Sequence, residues 1–136
     1  MASPDEDIAA KIDTELATLT IGTNLFTGPS RPVSAYVPQR CVFVYCLPGG
    51  NIMNYCQGGS RSPQLYNSTV RVVVRSNASN YDDGRDLARS IRNAIHDNPP
   101  SGYIMARIRN SEPDYYGVED TGSHLFGYDI DVMYSA

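Results

Sequence analysis

Residues 65–75 read Leu-Tyr-Asn-Ser-Thr-Val-Arg-Val-Val-Val-Arg, a stretch that alternates between apolar and polar side chains. Successive side chains of a β-strand point to opposite faces, so every second residue shares a face. One face would carry Tyr66, Val70, Val72 and Val74. Arg71 and Arg75 fall on the other face. The stretch therefore predicts a strand with one apolar and one polar face.

The residues that follow predict a helix and, further along, a second alternating strand. Residues 77–83 form a polar turn, and residues 84–97 change to helical spacing. The apolar face of this helix consists of Leu87, Ala88, Ile91, Ala94 and Ile95. The distal strand alternates through Phe126, Tyr128, Ile130, Val132 and Tyr134. Two strands that bracket an amphipathic helix indicate a compact unit of sheet and helix.

The N-terminal residues predict a further helix. Ser3 is typical of an N-cap, Pro4 of the first helical position, and Glu6 of the third position of a capping box. The expected helix runs from about Pro4 to Thr18. Its apolar stripe consists of Ile8, Ile12, Leu16 and Leu19.

The remaining segments predict strands and loops that complete an α+β fold. Strands are expected at residues 20–26, 41–47, 51–57, 103–109 and 124–134, of which 41–47 is a continuous apolar run typical of a central strand covered on both faces. Long loops are expected at residues 27–39, at 48–63, within which the short strand 51–57 lies, and at 110–123. This order predicts a single domain over residues 1–136, a mostly antiparallel sheet with two main helices packed on it.

Composition narrows the range of functions. The chain has 136 residues, a formal net charge of −4 and a sequence pI near 5.0, which argues against sequence-nonspecific binding of free nucleic acid. Ten tyrosines and a basic complement that is almost all arginine favour contact surfaces. No apolar stretch approaches the length of a membrane span, and the acidic residues 1–7 do not resemble a secretory signal.

Candidate catalytic and metal-binding residues are few. Cys41 and Cys46 lie on opposite faces of one predicted strand, so they and Cys56 do not form a zinc site. No phosphate-binding or nucleophile motif is present. We therefore expect no enzyme activity, no cofactor and no metal. The alternative is a small cytoplasmic metal-binding or enzyme domain that uses Asp129 and Asp131, which share a strand face, with His124.

One charged feature of the predicted central helix stands out. Arg85, Arg89 and Arg92 recur on a face adjacent to the apolar one. They can form a solvated face, partly paired with Asp82 and Asp86 across one turn. They can also present a row of planar donors to a partner surface or a DNA-bearing channel.

Several of these segments resemble the tail terminator and tail-completion proteins of long-tailed bacteriophages, which are often described as minor capsid proteins. The resemblance lies in residues 70–75, 81–88 and 91–96, and extends to 27–29, 42–44, 49–50 and 126–132. It covers nearly the whole chain and consists of strand and helix patterns. Apart from Gly49-Gly50, the segment 48–63 has no counterpart in it, and neither has the segment 110–123.

The resemblance implies a non-enzymatic virion protein of the neck, assembled in the host cytoplasm. Such proteins form a homo-oligomeric ring, commonly a hexamer, on the last ring of the tail tube. There they end tube growth and meet the head-completion proteins, while phage DNA passes through the central hole without sequence-specific binding. A different neck role, such as a head-completion (stopper) or tail-completion protein, is the alternative within the same class.

If the chain forms such a ring, its two long loops and the arginine face are the expected contact surfaces, because long loops on a rigid sheet commonly carry contacts. The expected interface residues are Arg85, Arg89, Arg92, Tyr55, Arg61, Tyr115, Tyr116, Glu119 and Asp120.

Overall fold

A computed structural model describes residues 3–28, 40–54, 64–77, 79–119 and 122–135. Within these ranges the chain forms two helices and seven strands. In chain order they are α1 (Pro4–Glu15), β1 (Leu25–Thr27), β2 (Cys41–Cys46), β3 (Asn51–Asn54), β4 (Gln64–Arg75), α2 (Tyr81–Ile95), β5 (Tyr103–Ile108), β6 (Asp114–Val118) and β7 (His124–Ser135). The predicted α+β fold is confirmed.

Two long strands form the centre of the sheet. β4 and β7 are antiparallel over their full length, from the pair Leu65 and Ser135 to the pair Arg75 and Leu125. The other edge of β4 is shared by β2 and β3, and the other edge of β7 is shared by β5 and β6. All these pairings are antiparallel, and only β1, which joins β2, is parallel. The outer edge of each central strand is thus paired with two shorter strands that follow one another along it.

The core lies on the face of the sheet that both helices cover. The valines of β4 and the residues Phe126 to Val132 of β7 that were predicted to share a face are buried against the apolar face of α2 and against Ile8 and Ile12 of α1. Tyr66 and Tyr134, at the far end of the same face, are partly buried and stack on each other at 5.4 Å. The hydroxyl groups of two core tyrosines form hydrogen bonds at this interface. The hydroxyl of Tyr128 donates to the carbonyl of Ala88, and that of Tyr103 donates to Asp7 of α1 at 2.7 Å. Burial raises the pKa of both tyrosines.

The opposite face of the sheet has a smaller apolar cluster beside a band of charged pairs. Phe26, Cys41 and Phe43 are buried there, with the two phenylalanine rings stacked at 5.8 Å. Cys46 instead packs against the main core, which confirms that the two cysteines lie on opposite faces of β2. Nearby, Arg71 of β4 donates to Asp129 of β7 at 2.8 Å.

Three predicted boundaries at the N-terminal end differ from the structure. The first helix ends at Glu15 rather than Thr18, and Ser3 donates to the carboxylate of Asp5 instead of forming a capping box. The strand expected at 20–26 is confined to Leu25–Thr27. Asn24 explains this, because its side chain binds the backbone of Thr18 and Thr20 and holds residues 18–24 in turns.

Two predictions in the second half were also wrong in detail. Residues 81–83 begin α2 instead of ending a turn, because the side chain of Asn80 caps the helix by accepting from the backbone N–H of Asp83 at 3.1 Å. Residues 110–123 are not one long loop, since they contain β6. The expected strand 51–57 is observed as Asn51–Asn54, and residues 55–57 lie outside the described ranges.

A helix long and apolar enough to cross a membrane does not occur in the parts of the chain that the structure describes.

We predict that Gly84→Ala destabilises the protein, although alanine is the better helix former. A Cβ atom at Gly84 would lie 2.9 Å from Cε2 of Phe126 and 2.8 Å from Cβ of Ser76, so α2 could not approach the sheet. Overpacking costs about 1–3 kcal/mol, which exceeds the gain of about 1 kcal/mol in helix propensity. Urea unfolding checks this, with Ser90→Ala on the exposed side of α2 as the matched control. A stability equal to or above the wild type for Gly84→Ala would contradict it.

Candidate interaction surface

The three arginines of α2 are directed toward carboxylates and carbonyls of their own chain. Arg85 lies 3.3 Å from Asp82 and 3.4 Å from Asp86, the pairing expected for a solvated helix face. Arg89 donates to Glu112 at 2.8 Å, and Arg92 donates to the carbonyl of Ser111. That these arginines also donate hydrogen bonds to a partner protein stays a prediction.

The contacts of Arg89 and Arg92 hold the connection between β5 and β6 against the helix. Glu112 lies in this connection, and the hydrogen bond from Arg89 lowers the pKa of its carboxyl group. Both side chains are well exposed, so solvent and salt screen the pair and it adds little stability. Its structural effect is to set where the chain turns between two strands that lie along the same edge of β7.

Tyr115 and Tyr116 both lie on β6, where they face opposite sides of the sheet. The ring of Tyr116 covers Gly127 of β7, at which a Cβ atom would lie 2.6 Å from Cε2 of the tyrosine and 2.5 Å from the carbonyl oxygen of Val72. Gly127 therefore provides the space in which this ring seats. Partial burial there raises the pKa of Tyr116.

Glu119, predicted as an interface residue, pairs with an arginine of its own chain. Its carboxylate lies 3.6 Å from Nη1 of Arg75, whose side chain is only 2% exposed, while that of Glu119 is 31% exposed. The pair connects the turn after β6 to the end of β4. Tyr55, Arg61 and Asp120, the remaining predicted interface residues, lie outside the described ranges.

Sequence analysis missed an aromatic cluster that forms where α2, β6 and β7 meet. Tyr81 packs edge-on against Phe126 and Tyr115, with ring centroids 5.0 and 5.6 Å apart. The hydroxyl of Tyr115 lies 2.8 Å from Nδ1 of His124. The guanidinium of Arg85 lies 5.8 Å from the ring centroid of Tyr81. The signal available in the sequence was the β-prone run Tyr115-Tyr116-Gly117-Val118.

This cluster presents an exposed surface, which we call the aromatic patch and define as Tyr81, Tyr115, Val118 and His124. Tyr81, Tyr115 and Val118 are 42%, 47% and 58% exposed. Their backbones belong to a helix and a two-stranded pairing, and Phe126 beneath them is buried. Rigid, exposed tyrosines beside an arginine are typical of protein–protein contact sites.

The residues of the alternative metal or enzyme site are not brought together. Asp129 pairs with Arg71, and Asp131 accepts from Arg109 at 2.5 Å and from Thr69 at 3.2 Å. His124 lies near the start of β7 and belongs to the aromatic patch, on the face opposite the two aspartates. Within the described residues, no group of three or more histidine, cysteine or carboxylate side chains is placed to hold a metal ion.

The arginine and carboxylate side chains that line two open clefts are already paired within the fold. One, of about 350 Å³, lies on the face opposite the helices and includes Thr69, Met105, Arg109 and Asp131. The other, of about 370 Å³, lies beside the C-terminal end of α2 and includes Arg92 and His96. The backbone N–H of Ile108 donates to Nδ1 of His96, so this nitrogen is an acceptor within the fold.

Comparison with known proteins shows a likeness of fold. A chain in the solved structure "Virion of native gene transfer agent (GTA) particle" superposes with a TM-score of 0.55 and 10% sequence identity, and the match covers 100% of both chains. No family model matches the sequence, and neither does any curated protein.

The two carboxylates that bind arginines near β6 should differ in their effect on stability. We expect Glu119→Gln to lower the free energy of unfolding by about 1–3 kcal/mol, because the buried guanidinium of Arg75 then loses the charge of one ion-pair partner. Glu112→Gln should leave the stability near that of the wild type, since its pair with Arg89 is exposed. Urea titrations of both variants measure the difference. An unchanged stability of Glu119→Gln would show that its pair with Arg75 is not stabilising, and an equal loss in both variants would show that burial does not distinguish the two pairs.

Proposed function

We propose that this chain is a structural virion protein of a long-tailed phage or phage-like particle. More specifically, we propose that it is a tail terminator. Copies of the chain form a ring at the top of the tail tube, end tube growth and join the tail to the head. The ring is a hexamer in the arrangement typical of the family that the sequence resembles.

The observation that carries the proposal is the full-length fold likeness. The fold matches a chain of a gene transfer agent virion over the whole of both chains, with no part of either left over. At 10% identity this likeness is one of fold, so it supports the function only together with the strand and helix patterns that resemble tail terminators.

The described side chains also favour a role without catalysis. Catalytic groups commonly stand in a cleft with strongly perturbed pKa values. Here the carboxylate of the first cleft, Asp131, pairs with Arg109, and Asp129 on the same face of the sheet pairs with Arg71. The exposed features are instead apolar and aromatic, as in the aromatic patch. The proposed protein therefore works by contact between subunits.

The proposed partners follow from the ring. They are further copies of this chain, the tail-tube protein below and the head-completion proteins above. Phage DNA passes through the channel without sequence-specific binding, which suits a chain of net charge −4 because a strongly basic lining would hold the DNA. The protein is assembled in the host cytoplasm and stays in the neck of the virion.

Deletion of the gene tests the proposal. We expect particles without joined tails and free tail tubes longer than those of the wild type, because nothing stops tube growth. Electron microscopy measures both. Tubes of normal length beside heads that lose their DNA would instead indicate a head-completion role. Intact, infectious particles would overturn the proposal.

Purified protein gives a second measurement with a built-in control for the metal alternative. Light scattering after size exclusion should show a ring-sized species, either alone or once tail-tube protein is added. We expect the double variant Asp129→Asn, Asp131→Asn to bind metal ions and to turn over small molecules no differently from the wild type, because we expect no metal site at these aspartates. Loss of a metal with unchanged assembly would favour the alternative site.

A further inference from the structure

β6 is an exposed strand with a neighbour on one side only. Four of its five residues are exposed. Its inner edge pairs with β7, from Asp114 opposite Gly127 to Val118 opposite His124. Among the residues that the structure describes, no group bonds to the backbone along the outer edge of β6. An edge strand directs the N–H and C=O of every second residue away from its neighbour, so this edge is able to pair with a further strand.

Two other outer edges of the sheet are closed by contacts within the fold. On β5, the carbonyl of Ala106 and the N–H of Ile108 bond to groups of residues 96–97, so the end of α2 caps this edge. On β1, both backbone groups of Leu25 bond to residues 20–22. Of these three edges, the edge of β6 is therefore the one that has no cap from the described residues.

The two faces of the sheet beside the open edge differ in chemistry. Tyr115 and Val118 face the helices, where they belong to the aromatic patch. Asp114 pairs with Gly127 and therefore lies on the opposite face, as does Tyr116. Successive side chains of a strand point to opposite faces. A strand laid along this edge would thus place its side chains alternately on apolar groups and beside a carboxylate.

Asp114 is a carboxylate without a neighbouring cation. Residues 110–119 contain three acidic residues and no basic one. The other two acidic residues pair with arginines of the fold, as described above. Asp114 accepts a hydrogen bond from the side-chain amide of Asn110 at 2.9 Å, and within the described part of the chain it has no ion pair. An exposed charge on an edge strand opposes pairing with strands of like charge and favours a cation directly across from it.

From the open edge and its two faces, we propose that β6 binds an extended segment of a partner protein as an additional strand of the sheet. The segment alternates apolar and basic side chains. Its apolar side chains lie on Tyr115 and Val118, and a lysine or arginine lies opposite Asp114. Main-chain hydrogen bonds give such a contact its affinity, and the alternate side chains give it specificity. The inference rests on the proposed role in assembly and states how a partner is held.

The described edges of a second copy fit this edge less well. A second β6 would bring two strands with an unpaired Asp114 together, and like charges oppose this pairing. The strand β5 has a suitable alternation around Arg107, but the end of α2 caps its edge. The strand β1 has no charged residue to pair with Asp114. We therefore assign the segment to another protein.

The open edge is held in place before a partner binds. The connection before β6 is held by Arg89 and Arg92, and the turn after it by the pair of Glu119 with Arg75. A partner segment therefore pays little to order the strand. The bulge that follows Tyr115 interrupts the regular edge, as in natural sheets that avoid unselective pairing. A segment thus binds only where its side chains match the two faces.

A charge exchange tests the predicted partner chemistry. The probe is an end-blocked seven-residue peptide that alternates valine and lysine, and its control alternates valine and glutamate. We expect the lysine peptide to bind the full chain with a Kd below about 1 mM and the glutamate peptide to bind more weakly. Asp114→Lys should weaken the lysine peptide by at least about fivefold and strengthen the glutamate peptide. Isothermal titration calorimetry measures both.

Glu6→Lys is the matched control, because it makes the same charge change at an exposed residue of α1, which packs against β1 and β2. It should leave both affinities unchanged, after circular dichroism shows that the two variants fold. Absence of binding by the lysine peptide would overturn the inference. An equal loss in Glu6→Lys and Asp114→Lys would also overturn it, since the effect would then be one of net charge.

Amide hydrogen exchange distinguishes strand addition from a purely ionic or apolar contact. The lysine peptide should slow exchange in β6 and leave exchange in β5 unchanged, because new main-chain hydrogen bonds form only along the open edge. The same peptide with every backbone amide N-methylated keeps its charges and side chains but has no donors. It should lose binding. Equal binding of the methylated peptide, or unchanged exchange in β6, would contradict strand addition.

The outcomes separate this inference from the proposed function. If gene deletion gives the expected tail defect but the lysine peptide does not bind, the β6 edge is wrong and the proposed function stands. If the peptide binds but particles without the protein stay intact and infectious, the edge stands and the virion role is wrong. Asp114→Lys should self-associate like the wild type in analytical ultracentrifugation. Loss of self-association in this variant would assign the edge to a second copy and overturn the inference.

Discussion

The pairing of β4 with β7 is the constraint on which the other elements depend. Each strand has 12 residues, and they pair without a break from Leu65 and Ser135 to Arg75 and Leu125. A slip by one residue would turn Val70 and its neighbours out of the core. The pair Arg71 and Asp129 on the opposite face stands at the same register, so both faces of the sheet specify one alignment.

Because the central pair is continuous, irregularity is confined to the flanking strands. On one side, Pro48-Gly49-Gly50 separates β2 from β3, and Gly50 approaches β4 so closely that a Cβ atom would lie 2.3 Å from the carbonyl oxygen of Asn67. On the other side, residues 109–113 separate β5 from β6 and are held by Arg89 and Arg92. The exposed segments are thus attached to a rigid sheet at defined points, as contact surfaces require.

Periodicity predicted the elements whose own residues carry the signal. β4, β7 and α2 each have an apolar face that repeats with the period of the structure, and their type was correct from sequence. β6 gave no such signal, because it has five residues, is bulged between Tyr115 and Gly117 and is exposed on both faces. Its position comes from contacts distant in sequence, such as Tyr116 over Gly127 and Glu119 with Arg75.

The candidate surface was predictable only in part for the same reason. Tyr115 is a conspicuous residue in the sequence, but nothing local shows that Tyr81 and His124 join it. Their meeting depends on Gly84, which lets α2 approach Phe126, and on the alignment of β6 with β7. Since these packing contacts already hold the rings in place, a partner would bind them with little further loss of side-chain freedom. The packing of the described residues thus provides a preorganised, exposed surface of the kind that contact with a partner requires.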